Sequence, residues 1–392
     1  MFLRRLNGAI SYRTRKNLLV ESLVMDAERN LSGDVRFSGF LHTAEDKRHH
    51  VEEKGLFSRA RFRNPWKEWK DPSLGDVLRM VTGGLKSRKS SFSPKLIGND
   101  HPTEQDLKEA FPIEQIDRSR IDHPEAGKVQ ATWIGHSTVL VQMGDVCNIL
   151  TDPIFEHTCS PVPALSPKRV VEPAISIDSL PRIDAVVISH GHYDHLCEKS
   201  VVRLHKKFND ISFFVPLGHK KWFLRRNIKN VEELDWWESA EFCRGAIKFT
   251  CTPAMHWTMR RVWDRNTALW GSWHIENVGD NKSFWFAGDT GYSEELFKEI
   301  GRQCNGIDCA AIPIGAYDPR WFMRPQHINP EEAVLVHKHI MAKKSLAIHH
   351  ATFSLTSEPL DEPPVKLVKA LLDSGLDPDS FQAVHHGSTM IS

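Results

Sequence analysis

The sequence predicts an α/β protein whose strand tips gather polar side chains along one edge of its sheets. Three observations carry that reading. From Val129 onward, short apolar and β-branched runs alternate with helix-forming segments. Nearly every run closes on Gly, Pro or Asp next to a polar residue. One run feeds directly into Ser189–Leu196, "SHGHYDHL", which places His190, His192, Asp194 and His195 within six positions.

Composition bounds the rest. The 392 residues suffice for one large domain or two ordinary ones, and 40% hydrophobic with 26% charged residues reads as a globular chain with a real core. A net charge of +1 gives no electrostatic reason to expect nucleic acid as a partner. The seven Cys, none in a C-x-x-C pair, predict reduced thiols and an intracellular protein. No run of 18 apolar residues occurs, so no transmembrane segment is expected. The 21 His suggest metal or acid–base work, and the 12 Trp suggest apolar binding surfaces or anchoring at a membrane–water boundary.

Residues 1–60 are polar and basic and read as a mobile leader. Residues 61–125 read as an arm and helix packing on the core, with Trp66, Trp69, Leu74, Val77, Leu78 and Val81 as anchors. The Gly/Ser-rich, basic stretch "GGLKSRKSSFSPK" follows as a loop. Residues 126–392 form the main domain. "VQATWIGHSTVLVQ" reads as two strands meeting at Gly135-His136, and "VCNILTDPIF" as a strand ending at Asp152-Pro153. "IDAVVISHGHYDHL", "ISFFVPLG", "AIKFTCTPAMHW", "KSFWFAGDTGY", "GIDCAAIPIGAY" and "KSLAIHHATF" are further strands. "NPEEAVLVHKHIMAKK" is the clearest helix: Asn329 caps it, Pro330 suits its first position, and Glu331 and Glu332 favour its positive end.

In H-x-H, side chains two apart point the same way along an extended segment, and a turn brings Asp194 and His195 beside them. Imidazoles mixed with carboxylate suit Zn²⁺ or a similar first-row ion. Four such residues do not complete two sites, so further ligands are expected from other strand tips: His256, Asp289, and His349 or His350. Strict alternation along "LAIHHATF" puts His349 and His350 on opposite faces. His136, in "WIGHST", is expected either to support the site from behind the ligands or to pack in the core.

The order H-x-H-x-D-H, His, Gly-Asp, His resembles the metallo-β-lactamase superfamily. That resemblance implies a four-layer αβ/βα sandwich with a binuclear metal site at the edge of the two sheets. "NPWKEWKDPS", "TWIGHSTV", "LTDPIF", "ELDWWE", "LWGSW", "FAGDTGY", "AAIPIGAYDPRWFM" and "QHINPEEAV" more specifically resemble the N-acyl-phosphatidylethanolamine-hydrolysing phospholipase D family, over about Asn64 to Gly387.

The family resemblance implies two Zn²⁺ per chain. His190, His192 and His256 would hold one, Asp194, His195 and His349 the other, and Asp289 would bridge them. Asp152 would support the metal loop. Asp289 and His327 are the expected catalytic residues, and Tyr193 and His327 would contact the lipid phosphate. The expected reaction releases N-acylethanolamine and leaves phosphatidic acid. The alternatives are a lactonase or other phosphodiesterase of the same fold acting on a soluble phosphorylated substrate, and a metal-bound lipid-binding protein without turnover.

The same resemblance implies a membrane phospholipid substrate, peripheral association with Golgi- or endosome-type endomembranes, a homodimer and a response to bile acids. "WTMRRVWD" after His256 departs from the family pattern and counts against a bile-acid site. Trp66, Trp69, residues 85–95 and "RWFMR" (Arg320 to Arg324) are the expected membrane contacts.

Overall fold

The computed structural model describes residues 36–38, 48–51, 61–86, 104–160 and 166–392. The strands are β1 (Arg36–Ser38), β2 (His50–Val51), β3 (Arg61–Phe62), β4 (Val129–Gly135), β5 (Thr138–Met143), β6 (Cys147–Thr151), β7 (Ala185–Val187), β8 (Ser212–Pro216), β9 (Val231–Leu234), β10 (Ser239–Phe242), β11 (Ile247–Thr252), β12 (Ser272–Asn277), β13 (Lys282–Phe286), β14 (Ile307–Pro313), β15 (Ala342–Ile348), β16 (Phe381–Gln382) and β17 (Thr389–Ile391). The longer helices are α1 (Leu74–Lys86), α2 (Glu104–Ala110), α3 (Arg118–Asp122), α4 (Glu198–Lys207), α5 (Lys220–Leu224), α6 (Glu294–Cys304), α7 (Arg320–Met323), α8 (Pro330–His339) and α9 (Glu362–Asp373).

Two sheets result. One runs β1-β10-β11-β12-β13-β14-β15-β16, the other β17-β4-β5-β6-β7-β8-β9. Alternation within the strands explains why they stack. In β5, Val139, Val141 and Met143 face the layer between the sheets while Leu140 faces outward, and in β8 Phe214 points in while Phe213 and Val215 point out. Both faces are therefore apolar. The outer face of the second sheet buries against Val201 and Leu204 of α4. That of the first buries against Phe297 and Ile300 of α6, Val334 of α8 and Leu367 and Leu371 of α9. The architecture is the expected four-layer αβ/βα sandwich.

The parallel strands β6, β7 and β8, and β13, β14 and β15, aim their C-terminal ends at one edge. α8 begins with a full capping box between Asn329 and Glu332 and with Pro330 in its first turn.

Several expectations are corrected. The anticipated leader is partly built into the fold: β1 pairs with β10 at the sheet edge, and β2 pairs with β3. His49 and His50 each lie 2.7 Å from one oxygen of the buried Asp235 carboxylate, which pins that hairpin to the core. Residues 1–35, 39–47, 52–60 and 87–103 lie outside the described residues, and with them most of the leader and of the basic loop. Trp66 and Trp69, half-buried, pack against the core as the expected anchors, Trp66 with its ring 5.2 Å from that of Trp236. By contrast Leu74 (91% exposed), Val77 and Leu78 on α1 face solvent instead of anchoring the helix.

Candidate metal centre

Six strand ends deliver the site. The turn after β4 carries His136, β6 leads into Asp152, β7 feeds the 189–196 loop, β11 leads to His256, β13 to Asp289 and β15 to His349. The backbone of this edge is unusually constrained. Gly288 adopts φ +58, and a Cβ there would meet the Ser189 Cβ at 2.4 Å, so only glycine lets Asp289 approach the metal loop.

Two groups of side chains form. His190 Nε2 lies 2.8 Å, and His256 Nε2 3.3 Å, from His192 Nδ1. The second group joins Asp194, His195 and His349 to His136. His195 Nε2 lies 3.4 Å and His349 Nε2 3.8 Å from Asp194 Oδ2. Asp289 lies between the groups: its Oδ1 is 3.1 Å from His349 Nε2, and its Oδ2 is 3.1 Å from His195 Nε2 and 3.9 Å from both His256 and His327 Nε2. The structure thus brings all seven expected ligands together, with Asp289 at the junction.

Each imidazole is oriented by what lies behind it. His195 Nδ1 is 2.7 Å from Asp152, and His256 Nδ1 is 2.9 Å from the Gln326 carbonyl. These acceptors require the proton on Nδ1, leaving the Nε2 lone pair facing the centre. Ser189 Oγ touches His190 Nδ1 at 2.9 Å and also donates to Asp152, whose carboxylate accepts from the Ser189 amide at 2.7 Å. His136 Nε2 sits 3.1 Å from Asp194 Oδ2, within hydrogen-bond reach of a carboxylate of the cluster.

Electrostatics fit a site for a bound cation. Burial alone would raise Asp289 and Asp194, but the surrounding imidazoles outweigh it and hold both well below the usual carboxylate range. Burial would lower His349, but Asp289 and Asp194 push it up to about 9, and the same kinds of contact raise His195 well above its ordinary value. Burial pushes His192 down to about 3 and His256 to about 4, keeping both neutral and able to donate lone pairs. His192 Nε2, His195 Nε2, His349 Nε2 and Asp289 Oδ1 are buried without a hydrogen-bond partner among the described residues. His195 Nε2 and His349 Nε2, orphaned beside the ionised Asp194 and Asp289, fit residues that would hold a divalent metal.

Three expectations change. Tyr193 was expected to offer its phenol to a phosphate. Instead its hydroxyl donates to the Arg260 carbonyl at 2.7 Å and its ring lies 4.2 Å beneath the Arg260 guanidinium. The alternation used to separate His349 from His350 fails, because β15 stops at Ile348 and His349 adopts φ +60. His350, the other candidate ligand at this strand tip, is buried, stacked on Trp133 at 4.6 Å, has both ring nitrogens unpartnered and joins neither ligand group.

His327 reaches the site as expected, with Nδ1 buried and free of any partner among the described residues.

Sequence reasoning missed the residues that brace the centre. Arg260 Nη1 donates to the carbonyls of Gly191 and Leu196, at 2.8 and 2.9 Å, and so ties both ends of the metal loop. Asn64 donates to the His256 carbonyl at 2.7 Å, and Thr352 Oγ1 accepts from the His136 amide at 2.6 Å. No spacing signal marks these contacts, since each partner is far away in sequence.

Comparison with known proteins bears on the family. Residues 147–350 match the family described as Beta-lactamase superfamily domain. The chain is 42% identical over 326 residues to N-acyl-phosphatidylethanolamine-hydrolyzing phospholipase D 1 of Caenorhabditis elegans, covering 81% of this chain and 87% of that protein. It is 33% identical over 290 residues to the mitochondrial N-acyl-phosphatidylethanolamine-hydrolyzing phospholipase D of Saccharomyces cerevisiae, covering 71% of this chain and 60% of that one. Among solved structures, the isothiocyanate hydrolase from Delia radicum gut bacteria superposes with TM-score 0.51 at 17% identity, covering 67% of this chain and 98% of that one. A metallo hydrolase from the archaeon Ignicoccus hospitalis gives 0.50 at 21%, covering 68% and 98%. These two likenesses establish the fold.

Proposed function

Because the chain belongs to the N-acyl-phosphatidylethanolamine-hydrolysing phospholipase D family of the β-lactamase superfamily, we propose that it is a binuclear zinc phosphodiesterase. It hydrolyses N-acyl-phosphatidylethanolamine to N-acylethanolamine and phosphatidic acid. The observation that carries this reading is the Asp289 carboxylate, within 3.1 Å of His195 and His349 and 3.9 Å of His256, so that one side chain serves both ligand groups.

In this reading His190, His192 and His256 would hold one zinc, Asp194, His195 and His349 would hold the second, and Asp289 would serve both. When bound, such a pair supplies Lewis acidity and a nucleophilic water at neutral pH. The chain's own residues do the positioning. Asp152 and the Gln326 carbonyl hold His195 and His256 in the Nδ1–H form, and His136 holds Asp194. His327 lies with its Nε2 3.9 Å from Asp289 and its Nδ1 unpartnered among the described residues, which leaves a ring nitrogen to hydrogen-bond an oxygen of the phosphate ester. Tyr193 serves the loop through Arg260.

No helix among the described residues is long and apolar enough to cross a membrane. The proposed route to a bilayer substrate is peripheral, on an endomembrane, and rests on the family's phospholipid substrate.

The test is incubation with N-acyl-phosphatidylethanolamine, with and without a chelator, following N-acylethanolamine and phosphatidic acid. Release that stops with the chelator and returns with zinc is the expected result. Chelator-insensitive release, or none with zinc restored, overturns the reading.

A further inference from the structure

The segment between His256 and Leu269 turns apolar side chains to solvent. Val262 is 85% exposed and Trp263 58% exposed, adjacent to each other and next to the exposed Arg261. Their turn is held firmly: the amides of Arg260 and Arg261 both donate to Asp264 Oδ1, at 2.9 and 2.8 Å, and the Asp264 amide returns to the Arg261 carbonyl at 3.1 Å. A rigid turn that displays Val and Trp to water keeps apolar surface hydrated, a cost that a contact partner removes.

A second segment lies beside it. α5 and its cap read Lys220-Lys221-Trp222-Phe223-Leu224-Arg225, with Leu224 48% exposed and Lys221 and Arg225 exposed. Trp222 joins the two segments, its ring 5.4 Å from the Arg260 guanidinium. The neighbouring cations Lys220, Arg226 and Arg265 pair with Glu232, Glu198 and Asp71. Lys221, Arg225 and Arg261 form no ion pair among the described residues. A chain of net charge +1 thus concentrates uncompensated positive charge around an apolar tip. The patch also borders the metal centre: Arg260 holds Gly191 and Leu196, and the loop itself starts at His256.

We propose that Lys221, Leu224, Arg225, Arg261, Val262 and Trp263 form a docking surface for an anionic lipid bilayer, with Val262 and Trp263 entering the interface and the three cations meeting lipid phosphates. Trp suits such a boundary, with an apolar ring and one N–H donor, and cations add attraction to anionic headgroups. Val262, Trp263 and Leu224 favour a bilayer over a polyanion in solution, which offers them nothing apolar to enter. The choice of an anionic lipid rests on the phospholipase reading, whose phosphatidic acid product is anionic.

The test is flotation of the full chain, zinc-loaded, with vesicles of phosphatidylcholine alone and of phosphatidylcholine with phosphatidic acid. It involves no turnover, so its outcome is independent of whether N-acyl-phosphatidylethanolamine is the substrate. Each cation removed near an anionic surface lowers partitioning about fivefold, so the Arg225→Gln/Arg261→Gln pair is expected to weaken binding to anionic vesicles about 25-fold and to flatten its salt dependence. Val262→Ser/Trp263→Ser is expected to weaken binding to both vesicle types, on the order of tenfold to a hundredfold. Val278→Ser, in the β12–β13 turn at the end remote from the site, is the control and leaves binding unchanged. If the apolar variant loses fold, the Gln pair decides, since those guanidinium groups make no internal ion pair among the described residues. Unchanged partitioning in both variants overturns the proposal. So does a variant that alters oligomeric state while vesicle binding persists, because the patch is then a contact between copies.

Discussion

Arg260→Met tests whether the metal loop is held from outside its own sequence. The guanidinium is largely buried, and burial pushes its pKa down to about 10. That displacement corresponds to a burial cost of about 3 kcal/mol. Against it stand two bonds from Nη1 to the Gly191 and Leu196 carbonyls, in buried residues. Charge-assisted bonds contribute about 1.5–3 kcal/mol each, so the pair gives about 3–6 kcal/mol. The net, about 0–3 kcal/mol, falls on the loop carrying His190, His192, Asp194 and His195. At about 1.4 kcal/mol per tenfold, metal affinity should drop by up to about a hundredfold, in the range typical of residues that orient ligands. Competition against a calibrated chelator measures it, with thermal unfolding run in parallel to separate loop effects from global loss. One nitrogen makes both bonds, so Arg260→Lys should recover part of the affinity. An unchanged chelator competition curve and unchanged turnover in Arg260→Met would refute the reasoning.

His349→Ala should lower bound metal as read by elemental analysis, whereas His350→Ala should leave metal content intact and cost stability by removing the ring stacked on Trp133; the reverse outcome would exchange their roles. Tyr193→Phe removes only the bond to the Arg260 carbonyl, so activity on a monomeric substrate should fall less than tenfold, a neutral hydrogen bond contributing about 0.5–1.5 kcal/mol; a loss beyond a hundredfold would return the phenol to the phosphate. Burial pushes His274 down to about 4, away from the metal centre. Its folded form stays neutral while the unfolded form takes a proton below about pH 6.5, so stability falls as pH falls from about 6.5 toward 4, by about 2 kcal/mol at pH 5. His274→Gln should show a correspondingly smaller loss between pH 7 and pH 5 in denaturant titrations, and an equal loss would contradict the assignment.

The sequence made the ligand types and their strand tips legible because each lies at the end of an apolar run, as β7, β13 and β15 illustrate. β9, β10 and β12 were not read as strands. In β9 and β12, Glu232, Glu233, His274 and Glu276 interrupt the apolar signal that longer runs give. Strand alternation separates His349 from His350, yet the backbone at His349 has already left the strand at φ +60. Its neighbour His350 is buried by Trp133, a residue more than 200 positions earlier, which no local pattern reports. The same holds for Arg260, Asn64 and Thr352, whose partners are backbone atoms fixed only once both sheets have stacked.

The loop from His256 to Leu269 combines three tasks that are separable by substitution. Its first residue faces the cluster through Nε2, its fifth holds both ends of the opposing metal loop, and its tip carries Val262 and Trp263 into solvent. The tip and the brace are linked covalently and through Asp264, which accepts from the Arg260 amide that adjoins the side chain holding the loop. Force or burial applied at the tip therefore acts on a turn already fixed to the metal loop, rather than on a free tether. This arrangement explains why apolar residues are tolerated at that exposed position: the rigidity needed at His256 and Arg260 extends to the turn, so ordering the tip at a surface costs little further entropy.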